Sequence, residues 1–347
     1  MTTAEIQDWK PKNIKPYYED ESTFLILGDC LEYLPKLEPN INLVCIDPPY
    51  HKIMEKDWKG EKFEWDNQWK SFVEYREWFN NISKLMKNLL ADNGSLYCFA
   101  DAKICAYIQI ELDKYFLLQN SIIWHKPNNM AIKGWSEFRS FAPVTERLLF
   151  YSNYETEFNK KDKTGLETIK LDVNNFKSLR KYFKEFQKNI NLTKKEMIKK
   201  IGQRVDHCFR FNSTQWDMPT KETYLELCKL PLKYDFVRKE YENLRKEYED
   251  LRRPFNQVEN YTDIWVHPIT SQKEKRHGYH PTQKPKKIID RIINCSSRKN
   301  DIILDCFLGS GTTARSAKDL GCKCIGIEKD EKSLEISANR MLQEVLF

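Results

Sequence analysis

Short apolar runs that stop at a glycine or an acidic residue recur at both ends of this chain. Phe24–Leu27 is followed by Gly28, and Leu43–Ile46 is followed by Asp47. An amphipathic helix is predicted over 71–90, and strands and helices alternate again near the carboxyl terminus. This alternation indicates an α/β fold with a doubly wound, mostly parallel sheet, whose ligands bind beyond the carboxyl ends of the strands.

The middle of the chain differs from its ends in charge, composition and predicted secondary structure. Residues 155–262 hold 24 of the 57 Lys and Arg residues but 18 of the 51 Asp and Glu residues, so the net charge of +6 arises there. This segment is rich in lysine and helical in pattern. We therefore predict one α/β domain formed by 1–154 and 263–347, interrupted by a mainly helical insertion over 155–262.

Composition argues against two classes of protein. No stretch approaches the ~18 apolar residues that a membrane span needs, and the first ten residues lack the apolar core of a secretory signal. We expect a cytoplasmic protein, and the richness of the chain in Lys, Asn and Phe indicates an AT-rich bacterial or phage genome, so that the cell would be bacterial or phage-infected. The ten cysteines are scattered, and the one close pair, Cys322 and Cys324, lacks zinc-site spacing. We predict reduced thiols and no metal.

A glycine turn follows a predicted strand and precedes a predicted helix, in Asp305-Cys-Phe-Leu-Gly309-Ser-Gly311-Thr-Thr313. Glycines here let the backbone approach a ligand at a helix N-terminus, and Glu328 ends the next strand, where it can accept hydrogen bonds from ribose hydroxyls. The segment lacks the lysine of a phosphate-binding loop and the third glycine of a dinucleotide fingerprint, which disfavours ATP and NAD. An ordinary strand-to-helix turn is the alternative.

A second motif, Asp47-Pro48-Pro49-Tyr50, stands at the end of another predicted strand. The two prolines stiffen the loop and expose the Pro48 carbonyl, Asp47 offers an acceptor, and Tyr50 offers a flat ring. Together these groups suit an exocyclic amine on a flat ring, such as a base flipped out of a duplex. A simple proline loop after a strand is the alternative.

With Asp29 and the stretch His280-Pro-Thr-Gln-Lys284-Pro285, these motifs make the chain resemble the β class of amino-group DNA methyltransferases, which use S-adenosylmethionine. The motif order is diagnostic: the DPPY tetrapeptide, a target-recognition insertion, then the HPTQKP and glycine motifs. The resemblance covers roughly 22–154 and 263–346 and implies a Rossmann-like methyltransferase fold. Residues 1–154 would be its catalytic half and 263–347 its cofactor half. Cys306 stands where the family usually has proline.

The resemblance implies a role for each motif. The catalytic tetrapeptide would hold the target amine through Asp47, Pro48, Pro49 and Tyr50. Asp29 would contact the adenine amine of the cofactor, and Glu328 its ribose. The other implied cofactor-binding residues are His280, Lys284, Pro285, Asp305, Phe307, Gly309, Gly311, Thr312 and Thr313.

The first residue of the tetrapeptide bears on the target base. Asp47 resembles the adenine-N6 subtype, whereas serine is more usual for cytosine-N4. A cytosine-C5 enzyme needs a cysteine nucleophile, commonly in a Pro-Cys dipeptide, and the chain has no such dipeptide. We expect direct in-line transfer without a covalent intermediate. The alternatives are a cytosine-N4 or RNA methyltransferase of the same fold and a non-catalytic DNA-binding regulator.

Three short helices are predicted in the insertion, over 193–201, 203–209 and 219–228, the first with a capping box of Thr193 and Glu196. This region resembles the helix-turn-helix segment of phage-type adenine methyltransferases. Residues that would read base edges or phosphates are Arg204, His207, Arg210, Asn212, Ser213, Thr214 and Gln215. A solvated, lysine-rich helical insert is the alternative.

The expected partner is double-stranded DNA. A heptad-like seam over 237–251 favours packing within the protein over a dimer zipper, while the family resemblance leaves a homodimer open. The chain has no room for an appended nuclease domain of ~150 residues, so a cognate restriction endonuclease would be encoded separately.

Overall fold

The computed structural model describes residues 9–51, 66, 68–127, 139, 141, 143–153, 175–211, 213, 216–256, 261–271, 274, 278, 280 and 282–342. The chain divides into two compact units. Unit 1 combines Met1–Glu157 with Pro254–Phe347, and unit 2 is Phe158–Arg253. The insertion predicted over 155–262 overlaps unit 2, and its recognition role stays a prediction.

Unit 1 is built on a sheet that has nine strands in the described residues, in the order β1-β2-β9-β8-β3-β4-β6-β5-β7. The pairs made by β1 and β6 are antiparallel, and the others are parallel. The mostly parallel α/β sheet predicted from the sequence is therefore confirmed. The strands are β1 Tyr18–Glu19, β2 Thr23–Leu27, β3 Ile41–Ile46, β4 Leu90–Ala100, β5 Leu117–His125, β6 Thr145–Ser152, β7 Ile264–Val266, β8 Ile302–Asp305 and β9 Lys323–Glu328.

Helices cover both faces of this sheet. Side chains alternate along β2, so Phe24 and Ile26 pack in a cluster with one group of helices and Leu25 in a cluster with the other. The first group is α1 Cys30–Tyr33, α2 Phe72–Leu89 and α3 Cys105–Leu112. The second group is α9 Lys286–Ser296, α10 Thr312–Asp319 and α11 Glu331–Met341. Burial of apolar surface on both faces explains the continuous apolar runs of the central strands.

Helix α2 begins where Ser71 Oγ accepts a hydrogen bond from Glu74 N at 3.1 Å. The helix predicted over 71–90 is confirmed, and Asp92, Asn93 and Gly94 already belong to β4. Leu89 and Leu90 are both buried, and their burial draws the chain into the sheet before the glycine is reached. Gly94 lies inside β4, where a Cβ would lie 2.6 Å from Leu90 Cδ1 and 2.9 Å from Ala91 O.

Unit 2 is helical in the residues that the structure describes, apart from an isolated bridge between Ile190 and Leu232. Its core is rich in aromatic rings, including Phe183 and Trp216. The capping box of Thr193 and Glu196 is confirmed, with Glu196 Oε2 accepting from Thr193 N at 2.7 Å. The helices are α4 Lys177–Asn189, α5 Lys194–Ile201, α6 Val205–Cys208, α7 Lys221–Cys228 and α8 Tyr241–Leu251.

The seam predicted over 237–251 packs within unit 2. Leu244 and Tyr248 of α8 are buried in its core, and Phe176 stacks on Tyr248 with ring centroids 4.7 Å apart. Val237 lies before the helix and is exposed. Packing inside the unit thus explains the apolar residues of α8, and Val237 takes no part in it.

All ten cysteines are free thiols, and eight of them are buried. Among the described residues, no group of His, Cys, Asp and Glu is arranged to hold a metal ion. Over the same residues, the helices are too short or too polar to cross a membrane.

Candidate active site

The carboxyl ends of four neighbouring strands, β2, β9, β8 and β3, meet at one edge of the sheet. Each brings an acidic residue: Asp29 follows β2, Glu328 ends β9, Asp305 ends β8 and Asp47 follows β3. They line a cavity of about 1020 Å³, its open mouth included. This is where a doubly wound sheet binds its ligands.

Most of the predicted site residues line this cavity. They are Asp29, Asp47, Pro49, His280, Lys284, Asp305, Phe307, Gly309, Thr312, Thr313 and Glu328. Four others, Pro48, Tyr50, Pro285 and Gly311, do not line it, although each adjoins a residue that does. The structure therefore brings the motifs of both chain ends to one place.

The glycine turn between β8 and α10 is held against Glu328. Gly309 and Gly311 have φ angles of 53° and 76°, in the left-handed region that favours glycine. Glu328 Oε2 accepts a hydrogen bond from Gly309 N at 2.7 Å, and its Oε1 accepts from Asp330 N at 2.8 Å. Burial raises the pKa of the Glu328 carboxyl above its ordinary value. A hydrogen-bonded carboxylate thus faces the turn.

Two further acidic groups and an aromatic pair complete this side of the cavity. Asp29 Oδ1 caps α1 by accepting from Leu31 N at 2.9 Å. Burial raises the pKa of Asp305 to about 7. The rings of Trp78 and Phe307 pack with centroids 5.6 Å apart. The cavity therefore offers apolar rings beside acidic acceptors, a combination suited to a cation that carries hydroxyl groups.

The tetrapeptide Asp47–Tyr50 is held by hydrogen bonds that the sequence did not predict. Asp66 Oδ1 accepts from Tyr50 N at 2.6 Å, and the Tyr75 hydroxyl donates to Pro49 O at 2.8 Å. The Tyr50 hydroxyl in turn donates to Asp47 Oδ1 at 2.5 Å. Tyr50 is consequently buried, with 8% of its surface exposed.

Lys284 joins the tetrapeptide from the far end of the chain. Its Nζ donates to Asp47 Oδ2 at 2.6 Å and lies 3.5 Å from Glu146 Oε2. Glu146 Oε1 is paired with Lys126. The cofactor role predicted for Lys284 stays a prediction, and the structure pairs its ammonium with the Asp47 carboxylate. Lys126 and Glu146 were not predicted as site residues. In the sequence they are marked only by their places, directly after β5 and at the start of β6.

Burial and charge act in opposite directions in this cluster. Burial raises the pKa of Asp47, and the Lys284 ammonium opposes that rise without cancelling it. Burial lowers the pKa of Lys284, but Asp47 and Glu146 outweigh it, so the net shift is upward. Burial raises the pKa of Glu146, but Lys284 and Lys126 outweigh it and the net shift is downward. Lys284 and Glu146 are therefore charged at neutral pH.

The predicted DNA-reading residues lie in unit 2. Arg204 and His207 are exposed, and Ser213 is half-buried. Arg210 Nε donates to Asp206 Oδ2 at 2.8 Å, and Lys194 pairs with the same carboxylate. Arg210 thus has a structural partner in unit 2. Asn212, Thr214 and Gln215 lie outside the described residues.

Residues 41–339 match the model of a family described as DNA methylase, the N6/N4 group. The chain belongs to this family. The methylase is 26% identical over 340 residues to the Type II methyltransferase M2.LlaDCHI of Lactococcus lactis subsp. cremoris, covering 94% of this chain and 92% of that protein. It is 28% identical over 324 residues to M1.MboII of Moraxella bovis, covering 91% and 95%.

A solved structure has the same fold as the methylase. The PvuII DNA methyltransferase (cytosine-N4-specific) superposes with a TM-score of 0.55 at 15% identity, covering 96% of this chain and 92% of that chain. At this identity the likeness concerns the fold alone.

S-adenosylmethionine is the cofactor of the methylase, and the residues of the cavity fit it. This cofactor has a sulfonium cation, ribose hydroxyls and an adenine ring. A Cβ at Gly309 would lie 3.3 Å from the His280 ring, so the glycine keeps the turn open beside the cavity. Acidic acceptors and aromatic rings line the same walls. The set of groups therefore matches the chemistry of the cofactor.

Proposed function

We propose that the protein is a sequence-specific DNA methyltransferase of the β class that transfers a methyl group to adenine N6 of a flipped-out base. One observation carries the proposal. Asp47 of the tetrapeptide lines the same cavity as Gly309 and Glu328, so an acceptor for the target amine opens onto the predicted cofactor site. A DNA-binding regulator would have no use for this juxtaposition.

The cofactor contacts follow from the walls of the cavity. Glu328 accepts hydrogen bonds from the ribose hydroxyls, and Asp29 accepts one from the adenine amine. The methionine side is bounded by the glycine turn and by the start of α9. The residues of these two walls are His280, Lys284, Pro285, Asp305, Phe307, Gly309, Gly311, Thr312 and Thr313.

When bound, S-adenosylmethionine supplies a methyl group that its sulfonium has already activated. The chain orients the amine and takes up the one proton that it loses. Asp47 and the Pro48 carbonyl accept the two N–H groups, which favours rehybridisation of a nitrogen whose lone pair is delocalised into the purine. Because burial raises the pKa of Asp47, this carboxylate is suited to take up the proton that the amine loses.

Adenine is favoured by the aspartate at position 47, in line with the resemblance. Cytosine N4 is the second candidate, because the family includes both activities and both bases present an exocyclic amine to the same acceptors. Both reactions would use the same cavity and the same chemistry.

Unit 2 supplies the DNA-reading surface in this proposal, with α5 to α7 as a helix-turn-helix-like element. A second part of that surface lies on α4, where Lys177, Lys181, Lys184 and Lys188 are exposed. Their spacing of four, three and four residues puts them on one face of the helix. None of the four pairs with another described residue, so this lysine stripe is available to phosphates.

Replacing the four lysines of the stripe by glutamine should weaken DNA binding equally for all sequences. Each phosphate that a lysine no longer neutralises should reduce the slope of log K against log salt by about 0.9, so the slope should fall by up to roughly 3.6. Binding would be measured by titration at several salt concentrations. The matched control replaces Lys221, Lys229 and Lys239, which are exposed on unit 2 but paired with glutamates. An unchanged slope in the stripe variant would show that α4 is not part of the DNA-binding surface.

The expected substrate is double-stranded DNA in the cytoplasm of a bacterial or phage-infected bacterial cell. The Type II relatives support a role beside a restriction endonuclease encoded elsewhere. A homodimer stays a prediction from the family resemblance.

The function is tested by identifying the methylated nucleoside. The protein is incubated with labelled S-adenosylmethionine and unmethylated genomic DNA, and the DNA is then digested to nucleosides. N6-methyladenine is the expected product. N4-methylcytosine would establish the second candidate instead, and the absence of product despite cofactor and DNA binding would overturn both in favour of a regulator.

A further inference from the structure

We propose that Lys284 is a transferable counter-ion, which neutralises Asp47 before the target amine arrives and moves to Glu146 when the amine takes its place. Lys284 and Glu146 would thus be positioning residues for the methyl transfer. The inference rests on the proposed function, because it concerns how the amine gains access to Asp47.

Both oxygens of Asp47 are engaged within the protein. Oδ1 accepts from the Tyr50 hydroxyl at 2.5 Å, and Oδ2 accepts from Lys284 Nζ at 2.6 Å. An amine that approaches Asp47 therefore meets an ammonium on the same carboxylate. As the methyl group arrives, the exocyclic nitrogen gains positive charge, which a cation at this distance would repel. The reaction is favoured if Lys284 leaves Asp47 first.

Glu146 provides the second position for the ammonium. Its Oε1 is held by Lys126, whereas its Oε2 is buried and accepts no hydrogen bond from the described residues. An unsatisfied buried carboxylate oxygen is costly and calls for a physical reason. Lys284 Nζ lies 3.5 Å from this oxygen, so a shift of about 1 Å would complete the bond.

The surroundings allow this shift without a change in the net charge of the cluster. Lys284 Nζ lies 5.1 Å from the ring centre of Phe99 and 5.5 Å from that of Tyr50, so aromatic faces flank the ammonium. Phe99 belongs to β4, which lies between β3 and β6, the strands that carry Asp47 and Glu146. Two carboxylates and two ammonium groups balance in charge before the shift and after it.

A double-mutant cycle tests the proposal, with single-turnover rates measured at saturating cofactor and DNA. Glu146→Gln should slow methyl transfer roughly 10- to 100-fold, because Lys284 then stays on Asp47, while cofactor affinity changes less than about threefold. In the Lys284→Gln background the same substitution should change the rate less than about twofold. Glu146→Asp, which keeps the charge, should restore at least a third of the wild-type rate. Equal losses in both backgrounds would overturn the proposal, since Glu146 would then act independently of Lys284.

Glu111→Gln is the matched control, because Glu111 is a buried carboxylate that pairs with Arg76 and Lys114 in the same unit. It should lower stability without slowing the transfer step selectively. If Glu146→Gln does not fold, the proposal is tested by solving the structure of the wild-type protein with DNA and a non-reactive cofactor analogue. Lys284 Nζ should then lie closer to Glu146 Oε2 than to Asp47 Oδ2, and the reverse order would overturn the proposal. A failure of the proposed function can be told apart from a failure of the counter-ion proposal, because the wild-type protein itself would then yield no methylated nucleoside.

Discussion

Substitution of Asp47 by asparagine is expected to slow methyl transfer by roughly 10²- to 10³-fold, the usual cost of removing one electrostatic contact to the reacting group. The amide has nearly the same shape as the carboxylate, but it has one acceptor oxygen instead of two and presents an NH₂ group to the amine and to Lys284. Cofactor affinity should change by less than about threefold. Single-turnover transfer of labelled methyl groups and calorimetric titration of the cofactor measure the two effects separately.

Asp92→Asn provides the comparison for this variant. Asp92 is an exposed carboxylate near the start of β4, at the opposite end of that strand from the cavity. It should leave both transfer and cofactor binding unchanged. A parallel loss of cofactor affinity in Asp47→Asn would show that Asp47 acts mainly in the cofactor site, contrary to the proposed mechanism.

Gly311→Ala should weaken cofactor binding at least tenfold. Gly311 has a φ of 76° at the N-terminus of α10, and a Cβ there would lie 2.8 Å from Ser337 Cβ and 3.0 Å from Ser337 Cα. The backbone of α11 cannot yield as a flexible side chain would, so the glycine turn must shift. Left-handed strain adds roughly 1–2 kcal/mol to the cost. Cofactor titration and thermal unfolding measure the two consequences.

Gly321→Ala separates the effect of backbone strain at a positive φ from the effect of a steric clash of the new Cβ. Gly321 follows the other end of α10 with a nearly identical φ of 72°, but its Cβ would meet nothing closer than Lys299 Cγ at 3.7 Å. This variant should lose roughly 1–2 kcal/mol of stability and keep its cofactor affinity. If both variants bind the cofactor equally well, the turn at Gly311 does not shape the cofactor site.

Local patterns were sufficient to predict the central sheet and the edge at which ligands bind. The strands that carry Asp47 and Asp305 are apolar runs with an acidic residue at or after the end, and this pattern is independent of tertiary contacts. The two-residue β1 and the three-residue β7 were missed, because segments so short show no periodicity. Their pairing with distant strands is decided by tertiary packing.

Contacts between residues far apart in sequence could not be predicted by the same means. Lys284 is 237 residues from Asp47, and in the sequence its motif indicated a contact with the cofactor rather than with Asp47. Asp66 and Tyr75 were likewise unpredictable as anchors of the tetrapeptide, because nothing local marks a side chain whose partner is a loop backbone. Nearer in sequence, Arg210 pairs with Asp206 one helical turn earlier, and its contact with DNA stays a prediction.

The strand order also governs when the site can form during synthesis. In the sheet, β9 and β8 lie between β2 and β3, although the ribosome makes them last. Strands β2 and β3 therefore emerge early without a neighbour between them, and the cavity edge can close only after residue 328 has been made. Translation products that stop before β8 and β9 would contain the tetrapeptide but lack the two strands that complete this edge of the sheet.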